Sequence, residues 1–263
     1  MKSIIFGISI IAGFILISCD KEENKLVNDS EHLVDKIYDY NNQLVGDYIY
    51  DDNNRLVEIN MYFYDTDDGR RIDYEFEYQK NKVKTIKYIE YQFPQANHSI
   101  ELTYNSSDQI VEKETYKNGN LISKQYYKYY EDGKLKCLTD ENGNDNYFFT
   151  YDQINNVIQV KWLYVDVWFG GDTIEKYRNF LYDNMPKPNF GIDYLFFLEP
   201  LPGFGTEATL EKGISINNMI EYVESGTKWI YTYNDNDLPK TIETQWKNIE
   251  TLEPMMLRIE YKE

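Results

Sequence analysis

The sequence predicts an all-β fold: an antiparallel meander of many hairpins that forms one large twisted sheet or a barrel-like sheet, with at most one short helix. Three observations predict it. Tyrosine and phenylalanine are abundant, with 26 and 13 copies in 263 residues, and aromatic rings suit a half-buried pleated surface. Apolar and polar residues alternate in several segments. Short clusters of Asp, Asn and Gly separate these segments, as turns between strands require.

An irregular repeat runs through the chain. Each copy has an aromatic residue, then three to five polar residues rich in Asp, Asn and Gly, then an aliphatic residue. This order is typical of a hairpin, and its uneven spacing argues against a strict solenoid. The copies begin at Tyr38, Tyr50, Tyr78, Tyr104, Tyr116, Tyr130, Tyr151 and Tyr233. Their aliphatic residues are Leu44, Leu56, Val83, Ile110, Leu121, Leu135, Val157 and Leu238.

Alternation with a period of two predicts which face of a strand is buried. In the segment RIDYEFEYQ, Ile72, Tyr74 and Phe76 share one face, and the acidic residues between them share the other. One apolar face and one charged face indicate an antiparallel sheet with one wet side. We therefore predict a single β-rich domain over residues 33–263. Residues 183–213 form an irregular insertion, in which IDYLFFLE is a short helix or a buried strand.

The N-terminus predicts a lipoprotein signal peptide over residues 1–18. Lys2 precedes an uncharged apolar stretch, and the ending LISC resembles a bacterial lipobox, in which the cysteine becomes the acylated N-terminus. Cys19 is therefore the predicted lipidation site, and residues 19–32 form the lipidated cysteine and its flexible tether. The alternatives are an uncleaved anchor and an ordinary signal peptide.

The residues after Cys19 predict the side of the membrane on which the protein lies. Lys21, Glu22 and Glu23 resemble the export signal of Bacteroidetes surface lipoproteins, a lysine followed by two acidic residues. A charged tether gives the same pattern by chance, so the alternative remains open. We expect an outer-membrane protein that is anchored through the acyl chains of Cys19 and exposed on the cell surface. The periplasmic face is the second choice.

The order of these features resembles a known family. A lipobox, tandem tyrosine hairpins, the break NFGIDYLFFLEPLPGFG and the closing YTYNDNDLPKTIETQW together resemble a Bacteroidetes lipoprotein domain of unknown function with a porin-like fold. The hairpin units also resemble the YD repeats of Rhs-type proteins. The resemblance implies a fold and no activity. A spanning barrel would carry apolar bands on its outer face, but these strands carry charges there, so we expect a soluble body on a tether.

Charge and composition disfavour several functions. The formal net charge of -18 repels phosphate backbones, so we expect no nucleic-acid partner. With Cys19 acylated, Cys137 is alone, and we expect it to be a small strand residue. His32 and His98 lie in polar stretches without a nucleophile motif, and no zinc motif is present. We therefore expect no catalytic site, no metal and no cofactor.

Acidic clusters such as DDNN at 51–54, DTDDG at 65–69 and DENGNDN at 140–146 raise the question of calcium. Their spacing does not place glycine and glutamate where a high-affinity loop needs them. Asp and Asn are also the residues that tight turns favour. Turns are thus the first interpretation, and weak calcium binding is the second.

The sequence favours a non-catalytic surface lipoprotein that acts as an interaction or adhesion module for a glycan or protein ligand. The alternative is a carbohydrate-binding lipoprotein that uses exposed aromatic residues of the segment KWLYVDVWFGGD, namely Trp162, Tyr164 and Trp168. The same rings are expected in a sheet core if they bind nothing. A glycan hydrolase with two carboxylates is less favoured, because sequence identifies no such pair.

Overall fold

The protein is a closed antiparallel β-barrel. The computed structural model describes residues 32–64, 69–166, 172–192, 209–247 and 255–262. Within them, 16 strands follow one another in sequence order, and the last pairs with the first. The strands are β1 (Val34–Asp39), β2 (Leu44–Tyr50), β3 (Leu56–Phe63), β4 (Arg70–Gln79), β5 (Lys82–Glu90), β6 (His98–Tyr104), β7 (Ile110–Lys117), β8 (Asn120–Tyr129), β9 (Leu135–Thr139), β10 (Asp145–Tyr151), β11 (Val157–Asp166), β12 (Asp172–Pro186), β13 (Asn217–Tyr222), β14 (Thr227–Tyr233), β15 (Pro239–Gln245) and β16 (Met255–Tyr261).

Pairing of the first and last strands decides between the two predicted sheet forms. Ile37 on β1 lies opposite Ile259 on β16, and the same residue lies opposite Gly46 on β2. Each strand therefore has a partner on both sides, and no backbone edge is left open. The all-β meander was predicted correctly, and of the barrel-like and twisted-sheet alternatives the structure adopts the barrel. One short helix, α1 (Thr209–Ile214), accompanies the strands, with a single 3₁₀ turn at Pro94–Ala96.

Seven hairpin turns share one geometry. The first residue donates its N–H to the carbonyl of the fifth, and the fourth donates to the carbonyl of the first. The fourth residue has a positive φ, as in a type I turn closed by a bulge. Asn, Asp and Gly tolerate this backbone conformation, which explains their recurrence in the repeat. The fourth residues are Asn42, Asn54, Asp108, Gly133, Gly143, Asn155 and Asp237.

The inner face of the barrel holds the core. Ile72, Tyr74 and Phe76 are buried on β4, as the alternation predicted, and they join one apolar cluster that all the strands around the barrel share. The prediction that the acidic residues of β4 lie on a wet face is wrong at one position. Asp73 points outward, yet it is buried, because Arg71 pairs with its carboxylate and Tyr91 donates a hydrogen bond to it at 2.7 Å. Part of the outer face is therefore covered by its own side chains.

A ring of tyrosines, four of which begin copies of the repeat, surrounds one end of the barrel, where even-numbered strands finish and odd-numbered strands start. There each even strand contributes one tyrosine whose hydroxyl donates to a backbone carbonyl of the preceding odd strand. The donors are Tyr50, Tyr78, Tyr104, Tyr129, Tyr151, Tyr182, Tyr231 and Tyr261. We call this the tyrosine end and the opposite end the far end. The aliphatic residues of the repeat at the tyrosine end are buried, whereas Leu121 at the far end is exposed.

The insertion between β12 and β13 is shorter than predicted and turns into the barrel. Strand β12 continues to Pro186, so the predicted start at residue 183 is wrong. Asn189 then bridges to Leu33, and Phe190 packs against the buried ring of Tyr48. Helix α1 lies after the predicted segment IDYLFFLE, of which only Ile192 falls among the described residues. Leu210 and Ile214 of this helix pack on the core, so the connection helps to fill the barrel.

Candidate functional site

The outer wall of the barrel carries ion pairs between neighbouring strands, together with exposed apolar side chains such as Leu181 and Ile230. Lys87 lies 3.8 Å from Glu75 and also pairs with Glu77, and Lys124 bridges two glutamates across β7 and β8 at 2.9 and 2.6 Å. These charges stand on the face that points away from the apolar cluster. Exposed pairs of this kind contribute little to stability, but they show which face of the strands water reaches. No helix among the described residues is long and apolar enough to cross a membrane.

Several residues predicted as sites lie outside the described residues. These are Cys19, Lys21, Glu22, Glu23 and Trp168. Tyr164 lies on β11 opposite Ile174, and its side chain is outside the described part of the chain. Trp162 is half-buried on the inner face of β11, and the guanidinium of Arg178 lies 4.6 Å from its ring centroid. The structure thus brings Trp162 towards the interior of the barrel, next to a cation that the sequence had not suggested.

The acidic turn DDNN is held by its own backbone. Asp51 accepts hydrogen bonds from the amides of Asn53 and Arg55 at 2.9 and 3.0 Å, and the Arg55 guanidinium binds the same carboxylate. The side-chain bond to Arg55 lowers the pKa of Asp51, so this carboxylate stays charged as a turn-forming group. In the described part of the chain, no group of three or more His, Cys, Asp or Glu side chains has the geometry to hold a metal. The turn explanation accounts for every contact of Asp51.

The two histidines and Cys137 have structural surroundings. The ring of His98 stacks on Tyr88 with centroids 4.6 Å apart, and its Nδ1 lies 3.0 Å from the carbonyl oxygen of Ala96, so it is more enclosed than a solvated histidine. The other histidine, His32, precedes β1 and has a positive φ. Cys137 is a buried residue of β9, as predicted, and burial raises the pKa of its thiol.

A bowl of 1230 Å³ opens at the tyrosine end. Its wall consists of hairpin turns, and the segments on either side of residues 193–208 border it. Cations of the turns lie over the tyrosine rings, with Arg55 4.8 Å from Tyr78 and Lys134 5.8 Å from Tyr151. Burial raises the pKa of the Tyr129 hydroxyl to about 12, so it remains a hydrogen-bond donor. The bowl therefore offers amides, cations, fixed phenols and the carboxylate of Asp108.

The inner face near the far end carries charged side chains among apolar ones. Glu90 is fully buried, and its carboxylate binds Arg70 and accepts a bond from Tyr88 at 3.2 Å. Across the barrel, Tyr147 donates to Glu211 of helix α1 at 2.7 Å, and burial together with this carboxylate raises the pKa of Tyr147 far above its ordinary value. Buried charged groups thus stand beside the apolar cluster, and Glu90 lies directly opposite the buried Ile72.

Arg178 is the central cation of the far end. It lies on the inner face of β12, between the rings of Trp162 and Tyr222, and its Nη1 donates to the Tyr147 hydroxyl at 3.3 Å. Lys212 of α1 lies 3.6 Å from the ring centroid of Trp229, on the inner face of β14. Sequence reasoning missed both cations. The alternation of β12 held a signal, because Arg178 has the same parity as the buried Phe180.

Comparison with solved structures finds similar barrels. A porin-like protein from Bacteroides uniformis has 14% identity and a TM-score of 0.48, with 82% of this chain and 90% of the other chain covered. A porin-like protein from Bacteroides vulgatus has 12% identity and a TM-score of 0.39, over 88% and 99%. The TcdB2-TccC3-TEV structure has 10% identity and a TM-score of 0.32, over 81% of this chain and 12% of that one. No protein-family model and no curated protein matches the sequence.

Proposed function

We propose that this chain is a non-catalytic lipoprotein of the cell envelope, whose barrel acts as an interaction module. In this proposal the acyl chains of Cys19 hold it at the outer membrane, and the barrel stands in water on the cell surface. The observation that carries the proposal is the inversion of polarity relative to a spanning barrel. The lipid-facing wall of a spanning barrel is apolar and its lumen is polar. Here the outer wall carries ion pairs, and buried apolar side chains from all the strands form one cluster in the interior.

The filling of the barrel also argues against transport through it. Leu56, Ile59 and Val83 are fully buried beside the tyrosine end, and the described parts of the β12–β13 connection pack on the same cluster. A pore would require the interior beside the tyrosine end to be open to water. The surfaces left for a partner are the bowl at the tyrosine end, the charged interior of the far end and the outer wall. An interaction module fits these surfaces without any motion of the barrel.

Carbohydrate binding is the second candidate function. The favouring observation is the aromatic and charged group formed by Trp162, Arg178 and Tyr222 at the far end. Ring faces and fixed polar donors are the elements that sugar-binding pockets combine. The proposal keeps Trp162 as the described member of the predicted aromatic set. It moves the site from a flat platform on the sheet surface to the inner face of the barrel, where Trp162 packs on the apolar cluster.

A glycan panel tests the interaction module. The protein without residues 1–19 is incubated with neutral and acidic oligosaccharides, and binding is measured by calorimetry while the products are analysed for cleavage. We expect binding without cleavage. Cleavage of a bound oligosaccharide would contradict the non-catalytic assignment. Absence of binding to every oligosaccharide would remove the carbohydrate candidate and leave a protein ligand as the partner of the module.

Surface exposure is tested at the tether. Replacing Lys21, Glu22 and Glu23 together with alanine removes the export signal but keeps Cys19. We expect the variant to remain in the membrane fraction while external protease no longer reaches most of it. A matched control replaces one lysine and two acidic residues of the tether farther from the cysteine, at Lys25, Asp29 and Glu31. Equal protease sensitivity of the tether variant and the native protein would reject the assignment to the outer face.

A further inference from the structure

The bowl at the tyrosine end is large and accessible. Five consecutive hairpins, from β2–β3 to β10–β11, form one side of its wall, and the segments that flank residues 193–208 form the other. Its volume of 1230 Å³ exceeds the range of about 300–1,000 Å³ that is usual for pockets holding one small molecule. Exposed turn residues such as Asn53 and Asn81 stand in this wall, so a ligand can reach them. The bowl therefore fits a ligand of several linked units.

Side-chain amides recur around the wall of the bowl. Four of the five hairpins contribute at least one, and the set is Asn53, Asn54, Asn81, Gln109 and Asn155. Within the part of the chain that the structure describes, the side chains of Asn53, Asn81 and Asn155 form no hydrogen bond. An amide donates through its nitrogen and accepts through its oxygen. These side chains therefore suit hydroxyl groups, which also donate and accept.

The amides are spaced for a long ligand. Each hairpin takes two strands, and neighbouring strands are about 4.8 Å apart, so equivalent positions of successive turns are separated by about 10 Å. Asn53 and Asn81 belong to neighbouring turns, which the bond from Arg55 Nη1 to the carbonyl of Lys80 joins at 3.3 Å. Asn155 belongs to the fifth hairpin of the row. A chain of linked sugars presents hydroxyl groups along its length and can reach more than one turn.

The charges of the bowl are mostly paired within the protein. Four cations line it, and three of them bind an aspartate. The pairs are Arg55 with Asp51 at 2.6 Å, Lys134 with Asp132 at 2.9 Å, and Lys82 with Asp108. The fourth cation, Lys187, donates to the carbonyl of Gly213. An anionic ligand would have to displace an aspartate from each paired cation, whereas a neutral ligand binds beside the pairs.

Apolar surface lies between these polar groups. The ring of Tyr129 lines the bowl, and its hydroxyl is held by the carbonyl of Ile110 at 2.7 Å. Ile192 and Ile216 line the opposite side. Rings and aliphatic side chains pack against the CH faces of sugars, while amides bind their hydroxyl groups. An extended peptide would instead pair with an open strand edge, and the 16 described strands leave none.

The tether leaves the barrel beside the bowl. Strand β1 starts at the tyrosine end, and Leu33, the residue before it, lies against Gly191 of the bowl wall. In the proposed function, residues 20–32 join this point to the acylated Cys19. An extended chain of this length spans at most about 45 Å. The bowl therefore lies within reach of the membrane that carries the protein, and saccharides on that membrane can enter it.

We infer that the bowl at the tyrosine end binds a neutral oligosaccharide through the amides of its hairpin turns. The inference rests on the proposed interaction module and adds the site and the ligand class. Amides without a protein partner bind the hydroxyl groups, and the paired charges leave the ligand neutral. The saccharide is either free in solution or the headgroup of a glycolipid in the anchoring membrane, since both present the same hydroxyl groups.

Oligosaccharides of defined length test the ligand class. The protein without residues 1–19, which keeps every described strand, is titrated by calorimetry with maltohexaose, cellohexaose and mannohexaose, and with glucose and mannose. We expect a hexasaccharide to bind at least about tenfold more tightly than its monosaccharide, because it reaches amides of more than one turn. Added salt should change this affinity by less than about twofold. Binding of trigalacturonate alone would overturn the inference, because that ligand is anionic.

Vesicles distinguish the two sources of the saccharide. The same protein is sedimented with phosphatidylcholine vesicles that carry digalactosyldiacylglycerol, and plain phosphatidylcholine vesicles are the control. Binding of a free hexasaccharide supports the inference with a dissolved ligand. Binding only to the glycolipid vesicles supports it with a membrane-borne ligand. Absence of binding to every hexasaccharide and to the glycolipid vesicles overturns the inference, and the interaction module then remains with a protein ligand.

Substitutions in two equivalent turns test the site. Asn53 is the third residue of its turn, and its N–H donates to Asp51 at 2.9 Å. Asn142 has the same place in the β9–β10 turn at the far end, where its N–H donates to Asp140 at 3.0 Å. We expect Asn53→Ala to weaken binding of the tightest probe about 3- to 10-fold, and its combination with Asn81→Ala about 10- to 100-fold. The matched control, Asn142→Ala, should keep native affinity.

The outcomes separate the bowl from the inner face of the barrel. Native affinity in the double variant, with native circular dichroism, overturns the inference. If Trp162→Phe loses the ligand while the double variant retains it, the glycan binds at the inner face and the second candidate function stands. Should the double variant fail to fold, Asn155→Gly carries the test, because glycine tolerates the φ of 72° at that position. A loss of about 3- to 10-fold in Asn155→Gly supports the bowl, and native affinity overturns it.

Discussion

Replacing Cys19 with alanine is expected to move the protein from the membrane fraction to the soluble fraction. The sulfur of Cys19 is the predicted attachment point of the acyl chains, and each buried methylene of such a chain contributes about 0.8 kcal/mol of membrane affinity. The outer wall of the barrel carries ion pairs such as those of Lys124 with Glu112 and Glu114, so we expect it to offer no substitute anchor. Fractionation of cells followed by immunoblotting measures the shift, and labelling with radioactive palmitate measures the loss of acylation.

The chain supplies its own control for this experiment. Cys137 is the other cysteine, and it is buried in β9, where no acyl chain can reach it. Cys137→Ala should therefore stay in the membrane fraction and keep its palmitate label. Recovery of Cys19→Ala in the membrane fraction after a carbonate wash would refute the lipobox assignment. In that case the apolar stretch before Cys19 would have to act as an uncleaved anchor.

Local signals in the sequence were sufficient for the hairpins. The turn that begins at Asp51 needs a hydrogen-bond acceptor at its first position and a residue that tolerates positive φ at its fourth. The segment DDNN supplies both, as Asp51 and Asn54. The alternation of β4 likewise needs only neighbouring residues. Closure of the barrel depends on β1 and β16, which lie at opposite ends of the domain. No local pattern encodes that pairing, so sequence left the sheet and the barrel as alternatives.

The interior of the far end escaped sequence analysis for a different reason. Period-two alternation was read with apolar residues inside and charged residues outside, which is valid for the half beside the tyrosine end. At the far end, Lys113 and Arg178 occupy inward positions, and the rule assigns them to the wet face. Arg178 shares its parity with the buried Phe180, but the inward position of Lys113 becomes visible only when its register with Leu102 is known. The sequence could identify Trp162 as an aromatic of interest but not the cation beside it.

The aliphatic position of the repeat is buried at one end of the barrel and exposed at the other, so its contribution to stability differs between the two ends. Leu56 and Leu121 both follow a polar turn in the repeat, and sequence alone treats them as equivalent. Leu56 begins β3 at the tyrosine end and is 0% exposed, whereas Leu121 lies near the start of β8 at the far end and is 50% exposed. The hydroxyl of Tyr78 donates to the carbonyl of Leu56 at 2.8 Å, which fixes the backbone around the buried side chain.

Leu56→Ala is therefore expected to lower the free energy of unfolding by about 2–5 kcal/mol, because the buried methyl groups leave a cavity in a closely packed interior. Leu121→Ala should change it by less than about 0.5 kcal/mol, as surface substitutions do. Urea unfolding followed by tryptophan fluorescence measures both. Equal losses for the two leucines would mean that the repeat packs alike at both ends. That result would contradict the buried position of Leu56 and the exposed position of Leu121.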